Sequence, residues 1–377
     1  MSLRVLLLNW RDLNHPEAGG AERYLVTVAE GLAARGHDVT FRTAAYPGAL
    51  PTETIAGVHY VRRGGHYSIY ARALMAHARS TYDVVVDVQN GVPYLSPLAT
   101  GTPVVNLVHH VHREQWPVIF GPRTARFGWW LESSLAPRVY RRTSYVTVSD
   151  STKRELVDLG VDADRVTIIH NGTDAVADDA APRSPQPRVV VLGRLVPQKR
   201  VEIALDAVAV LRRRVPGLHL DVVGSGWWEP RLREHVAALG LHEAVTFHGH
   251  VSEAEKHLLL ARAWVHAMPS LKEGWGLVVV EAGVHGTPTV AFRAAGGPAD
   301  SIRDGETGLL VGDAGDEPDV SAYTEALGSL LTDCGLRDRM STAAREWVSR
   351  FRWDDCVDAW ESLLLREASG GRPRSGG

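Results

Sequence analysis

The chain has 377 residues, 45% of them hydrophobic and 23% charged, with a formal net charge of -3. That size and balance fit a soluble protein with two hydrophobic cores, and they leave no global excess of cations for a generic nucleic-acid binder. With only two cysteines, Cys334 and Cys356, the chain suggests no disulfide framework or thiolate metal site and fits a reducing cytoplasm. No apolar run approaches the roughly 18 residues of a membrane-spanning helix. In chain order, "RVLLLNW" (residues 4–10) is an apolar run of strand length with no small-residue cleavage site after it, so it reads as a first strand and not a leader. A turn-rich stretch follows. Leu25, Val28, Ala29 and Leu32 then fall at i, i+3, i+4 and i+7, predicting a helix that stops at Gly36 before "HDVTFRT" resumes as strand.

The same β-loop-α-β opening returns in the second half. "RVVVLG" is a strand, "RLVPQK" a loop, Val201, Ala204, Leu205 and Val208 line a helix face, and "LHLDVVGSG" is the next strand. Between the halves, residues 171–187 ("NGTDAVADDAAPRSPQP") have no periodicity and read as a linker. Fully apolar strands alternating with helices predict an α/β chain of two doubly wound, Rossmann-like domains, 1–170 and 188–349, with parallel sheets covered on both faces. Ligands of such sheets bind outside the carboxyl ends of the strands. Two facing sheets would make an interdomain cleft, so function is expected on the loops 12–22, 193–199, 224–228 and 271–276.

Those loops carry suitable chemistry. In "GRLVPQK", Arg194 leaves a strand end and Lys199 follows five positions later; a forked guanidinium plus a mobile ammonium suits a diphosphate, unless both are merely solvated. Gly19 and Gly20 precede a helix whose free N–H groups could meet an anion, or they simply make a flexible entry loop. "VVNLVHHVHREQW" ends a strand with His109, His110 and His112. Neighbours in an extended segment point to opposite faces, so metal chelation is disfavoured, leaving either one ligand-bonding histidine or a structural one. "EGWGLVVVE" brackets a glycine pair, a tryptophan and an apolar run with Glu273 and Glu281. Its three valines favour strand, while "EAGVHGTP" beyond favours helix. If a helix begins near Gly276, the N–H groups of Leu277 and Val278 are unpaired, and carboxylates before and after them suit vicinal sugar hydroxyls. Finally, of 41 basic residues only Lys153, Lys199, Lys256 and Lys272 are lysines, a bias that points to a GC-rich, actinobacterial-type genome.

With its seven residues between glutamates, "EGWGLVVVE" resembles the signature of retaining glycosyltransferases of family 4, which have the GT-B architecture. "HPEAGGAE", "VHH", "VTVSDSTKREL", "IIHNGTD", "GRLVPQK", "VGSGWW" and "DGETGLLV" match in the same order, over roughly residues 3–365. The resemblance implies transfer of a hexose-type sugar from a nucleotide-diphosphate donor to a hydroxyl acceptor. The donor would be a UDP-sugar such as UDP-GlcNAc or UDP-Glc, or GDP-mannose; the acceptor a small molecule, lipid or saccharide. By similarity Arg194, Lys199, Gly20 and the backbone of Leu277 and Val278 hold the diphosphate and Glu281 the ribose. Glu273 holds the donor sugar and His109 lies near the reacting centre, the doubled histidine leaving His110 as the other choice. Trp275 stands where the family carries a smaller ring, which implies a reshaped sugar pocket. Asn90 and Glu114 are acceptor-side candidates. No cofactor and no metal are implied, since "DVQ" at Asp87 is not a D-x-D pair. "RFRWDDCVDAWESLLLRE" resembles the terminal helix (350–366) that returns to the first domain, and 367–377 reads as a disordered tail.

A hydrolase, an epimerase of the same architecture and a non-enzymatic nucleotide-sugar binder are the rival readings; paired acids also cleave glycosides, but a hydrolase would not need cations arranged for a diphosphate. Residues 122–142 interleave arginines with Trp129 and Trp130. A helix capping the sheet would bury both tryptophans; otherwise the segment would make weak peripheral contact with the inner face of a membrane.

Overall fold

The computed structural model describes residues 1–65, 67–77, 81–174, 181–312 and 318–370. The chain divides into two units, Met1–Gly172 with Arg352–Gly377, and Thr173–Phe351. In the first, strands β1 (Arg4–Leu8), β2 (Asp38–Thr43), β3 (Thr52–Ile55), β4 (Val58–Arg62), β5 (Val84–Val88), β6 (Val104–Val108), β7 (Ser144–Thr147) and β8 (Val166–Ile168) form one sheet. Its order is β3-β4-β2-β1-β5-β6-β7-β8. Every residue of β5 and β6 is buried, as their valine-rich runs require when helices cover both faces. All neighbours are parallel except β3, an edge strand that pairs antiparallel with β4. The two-residue turn joining them, Ala56 and Gly57, has positive φ at both positions, which matches the right-handed twist of the hairpin.

The second unit contains β9 (Arg188–Leu192), β10 (His219–Val223), β11 (Val245–Gly249), β12 (Val265–Met268), β13 (Thr289–Phe292) and β14 (Gly308–Val311). They are all parallel, in the order β11-β10-β9-β12-β13-β14. Strand order therefore reverses beside β1 in one unit and beside β9 in the other. Loops leaving the strands at such a reversal diverge and open a crevice at the carboxyl edge.

The C-terminal helix Trp353–Gly370 packs in the first unit against the helix Gly20–Ala34. Trp360 Nε1 donates to Tyr24 Oη at 2.6 Å, and a Cβ on Gly31 would lie 2.6 Å from Val357. Of the stretch 171–187, residues 175–180 lie outside the described residues. Arg183 and Ser184 are already fastened to the second unit, Arg183 donating to Ala263 O at 2.7 Å and Ser184 N to Arg262 O at 3.0 Å. The tail 371–377 also lies outside the described residues.

Of the two conformations open to "LVVV", the helix is adopted: Leu277–Val284 starts at Gly276, whose φ of 82° only glycine adopts freely. Packing overrides the valines' strand preference, because Gly283 lets this helix close on Val348 of the helix Cys334–Val348, where a Cβ would come within 2.6 Å. The tryptophans of "FGWW" are not both buried. The helix Pro122–Trp130 turns its small residues Ala125 and Gly128 inward, with Gly128 against Trp116, so Trp129 is half-buried and Trp130 exposed.

Candidate functional site

In the second unit, three loops leave adjacent strands and are stitched together by backbone. After β9, Gly193 N donates to Val223 O and Leu195 N to Ser225 O, tying residues 193–199 to the loop after β10. The contact is so close that a Cβ on Gly224 or Gly226 would lie 2.0 or 2.1 Å from the carbonyl oxygens of Gly193 and Leu195. Leu271 N donates to Gln198 O at 2.8 Å, joining the same loop to the one after β12. A small crevice opens between β9 and β12, lined by Gly193, Arg194, Lys199, Pro269 and Ser270.

Side chains converge there. Lys199, at the end of the short 3-10 turn Pro197–Lys199, folds across Gly193 and reaches Oε1 of Glu273 with its Nζ at 2.5 Å. Glu273 is held by its own backbone, Glu273 N donating to Ala295 O and Gly297 N to Glu273 O. Leu277 and Val278 open the following helix, so their N–H groups have no intrahelical acceptor. Glu281 lies one turn on, where Lys256 Nζ donates to Glu281 Oε1 and to Glu253 Oε2, each at 2.7 Å. Beneath Lys199, burial first and then the Lys199 ammonium hold His266 down to about 3. Trp275 is 3% exposed and packs edge-on against Phe351 at 5.0 Å.

In the first unit, Gly20 begins the helix after the β1 loop. Gly19 N donates to Glu22 Oε2 at 2.8 Å, and Glu22 is neutralised by Arg11 at 3.0 Å, so one orphan donor of that helix end is internally satisfied. His109 ends β6. Its carbonyl accepts from Thr152 Oγ1, its ring meets Tyr24 edge-on at 5.3 Å, and its Nε2 is buried without a hydrogen-bond partner. Burial, then His112, lowers it to about 4, so it is neutral near pH 7. His110 Nε2 instead lies 3.3 Å from Gln115 Oε1. Asn90 is half-buried and donates to Asn9 Oδ1 at 2.7 Å, whereas Glu114 is exposed on the turn before the helix Trp116–Ile119. Asp87 is a scaffold group: wholly buried, it accepts from Ser96 and Tyr140. Among the described residues no cluster of His, Cys, Asp or Glu is arranged to hold a metal ion.

Residues 18–177 match the family Glycosyltransferase Family 4, and residues 174–347 match Glycosyl transferases group 1. D-inositol 3-phosphate glycosyltransferase of Streptomyces scabiei is 30% identical, over 94% of this chain and 89% of its own length. The chain is a family 4 glycosyltransferase.

This family 4 glycosyltransferase has the GT-B fold. Sucrose-phosphate synthase from Thermosynechococcus elongatus superposes with a TM-score of 0.82 at 21% identity, covering 98% of this chain and 100% of that one. Anabaena HepE in complex with UDP and glucose superposes at 0.74 with 18% identity, covering 97% and 100%. Two residues of the glycosyltransferase had little or no sequence signal. Lys256 clamps Glu281 from the helix Glu253–Arg262, and only the scarcity of lysine hinted at it. Glu132, buried in the π-turn Leu131–Leu135, accepts from His112 N, His112 Nδ1 and Trp116 Nε1 and so shapes the segment after His109.

Proposed function

We propose that this glycosyltransferase moves a hexose from a UDP-sugar, or alternatively GDP-mannose, to an acceptor hydroxyl with retention of anomeric configuration and without a metal ion. The observation that carries this reading is the crevice between the adjacent strands β9 and β12 that is lined by Arg194 and Lys199, with Lys199 paired to Glu273 on the loop leading into the helix Leu277–Val284. As the glycosidic bond stretches, negative charge grows on the departing diphosphate. Fixed cations and amides favour that state over the substrate, and losing one such contact costs on the order of 3–4 kcal/mol of barrier. Arg194, Lys199, Gly20 and the amides of Leu277 and Val278 are assigned to the diphosphate, Glu281 to the ribose and Glu273 to the donor sugar.

His109 is assigned to the reacting centre in preference to His110, because its buried Nε2 lacks a partner while His110 is engaged by Gln115. Asn90 and Glu114 are assigned to the acceptor side. The reaction would take place in the cytoplasm, where Cys334 and Cys356 remain thiols. Thermal-shift titration with UDP, GDP, ADP and TDP tests the donor base, since a ligand of the folded state raises its midpoint. NMR of the product then reads anomeric configuration, with and without a chelator. A stabilising diphosphate, retention and chelator-insensitivity are expected. No response to any diphosphate, or free hexose released as fast without acceptor as with it, would defeat the proposal.

A further inference from the structure

The segment after His109 leaves several large apolar side chains uncovered. Val118, Ile119 and Phe120 end one short helix, and Phe127 and Trp130 project from the next; Phe127 is 60% exposed, Trp130 48% and Ile119 47%. These are not core residues that failed to dock. The inward side of the helix Pro122–Trp130 is already filled, with Gly128 seated on the buried Trp116, which is itself anchored to Glu132 at 2.9 Å. Arg123 and Arg126 on the same helix are also exposed, and the rings of Phe127 and Trp130 stack at 5.9 Å. Residues 115–131 contain no acidic side chain, although the whole chain is net negative. Large exposed apolar side chains gathered in one segment are candidates for an interaction site, and a tryptophan beside arginines is the composition that lies in a bilayer headgroup layer. The charge selects the partner: cations with no interspersed acid complement lipid phosphates.

We propose that Val118, Ile119, Phe120, Phe127 and Trp130 dock the first unit onto an anionic bilayer, with Arg123 and Arg126 against the headgroups. This is a surface docking: among the described residues no helix is long and apolar enough to cross a membrane. The proposal stands independently of which sugar is transferred.

Co-sedimentation of the full chain with vesicles of phosphatidylcholine containing about one third phosphatidylglycerol tests it, against pure phosphatidylcholine. Binding should favour the anionic vesicles and weaken at about 1 M salt, where the Debye length shrinks to roughly 3 Å. The emission of tryptophan should shift to the blue on binding and do so less in Trp130→Ser. Phe127→Ser with Trp130→Ser should lower the bound fraction about tenfold, as should Arg123→Glu with Arg126→Glu. These positions are exposed, so both pairs should keep the wild-type unfolding midpoint; should one pair not fold, Val118→Ser with Ile119→Ser replaces it. Equal binding to neutral vesicles, or binding unchanged in the folded variants, overturns the proposal. So does a dimer in light scattering that Phe127→Ser with Trp130→Ser splits, which would make this face a contact between two copies.

Discussion

Lys199 Nζ lies 2.5 Å from Oε1 of Glu273, so before any ligand arrives the cation assigned to the diphosphate is neutralised by the acid assigned to the sugar. A donor phosphate must compete with that carboxylate. Glu273→Gln should therefore bind UDP or GDP a few-fold to about tenfold more tightly, the order of one charge contact, while transfer falls by roughly 10²–10³. Lys199→Met should weaken both. Calorimetric titration and initial rates read the two effects, and a Glu273→Gln variant with weaker nucleotide binding and normal turnover would sink the competition argument.

Lys256 holds Oε1 of Glu281, the carboxylate assigned to the ribose. A hydrogen bond between charged partners contributes about 1.5–3 kcal/mol, and without it Glu281 loses its orientation. Lys256→Met should raise the donor KM about tenfold with little change in kcat, and should shrink the preference for UDP over 2′,3′-dideoxy-UDP. Lys256→Arg should restore part of it. An unchanged ribose preference in Lys256→Met would show that Lys256 only stabilises the helix.

His109 is held neutral by burial, at about 4. It can bond a ligand without titrating near neutrality, so His109→Ala should cut kcat while the pH profile of the residual activity keeps its shape between about pH 5.5 and 8. A group titrating near 6.5 in the wild-type profile that vanishes in His109→Ala would contradict the assignment.

Acid should affect the two units unequally. In the second, burial, with Lys199 beside one and His257 beside the other, lowers His266 to about 3 and His285 to about 4. Unfolded histidines take up a proton near 6.5 while these stay neutral, so their stability contribution is complete above pH 6.5 and declines as pH falls toward 4. Well inside that window each costs on the order of 1 kcal/mol per pH unit. In the first unit His109 behaves likewise, but burial raises Asp87 to about 6, the opposite sign: its contribution is complete below pH 3.8 and is lost as pH rises through 6. Hydrogen exchange on the intact chain from pH 7 to 4.5, corrected for intrinsic rates, should show protection fading more steeply in strands β9–β14 than in β1–β8. Parallel loss would refute this balance.

The Gly226 Cα hydrogen faces Leu195 O, where a Cβ would come within 2.1 Å. Gly226→Ala should push the loop carrying Arg194 and cost about 1–3 kcal/mol, with weakened nucleotide binding. A midpoint and a nucleotide Kd both equal to wild type would mean the two loops separate freely.

Strands and loops were legible because their signal is local. Runs such as "VVVDV" and "RVVVL" bury on both faces wherever they sit in a parallel sheet, and Arg194, Lys199 and Gly276 mark loop chemistry by residue type. The order of strands, the reversal beside β9, and the conversion of "LVVV" to helix depend on partners far along the chain, chiefly Val348 against Gly283. Periodicity over eight residues does not contain that information.

The amino-acid pattern alone determined the α/β class, the repeated β-loop-α-β opening and the residue types available at the strand ends, because hydrophobic period and glycine placement act within a few residues. Only the tertiary structure decided that Lys256 meets Glu281 across 25 positions, that Trp275 faces the core, and that Phe127 and Trp130 face outward. Side-chain direction is set by which neighbours fill the other side, and those neighbours are brought together only by the fold.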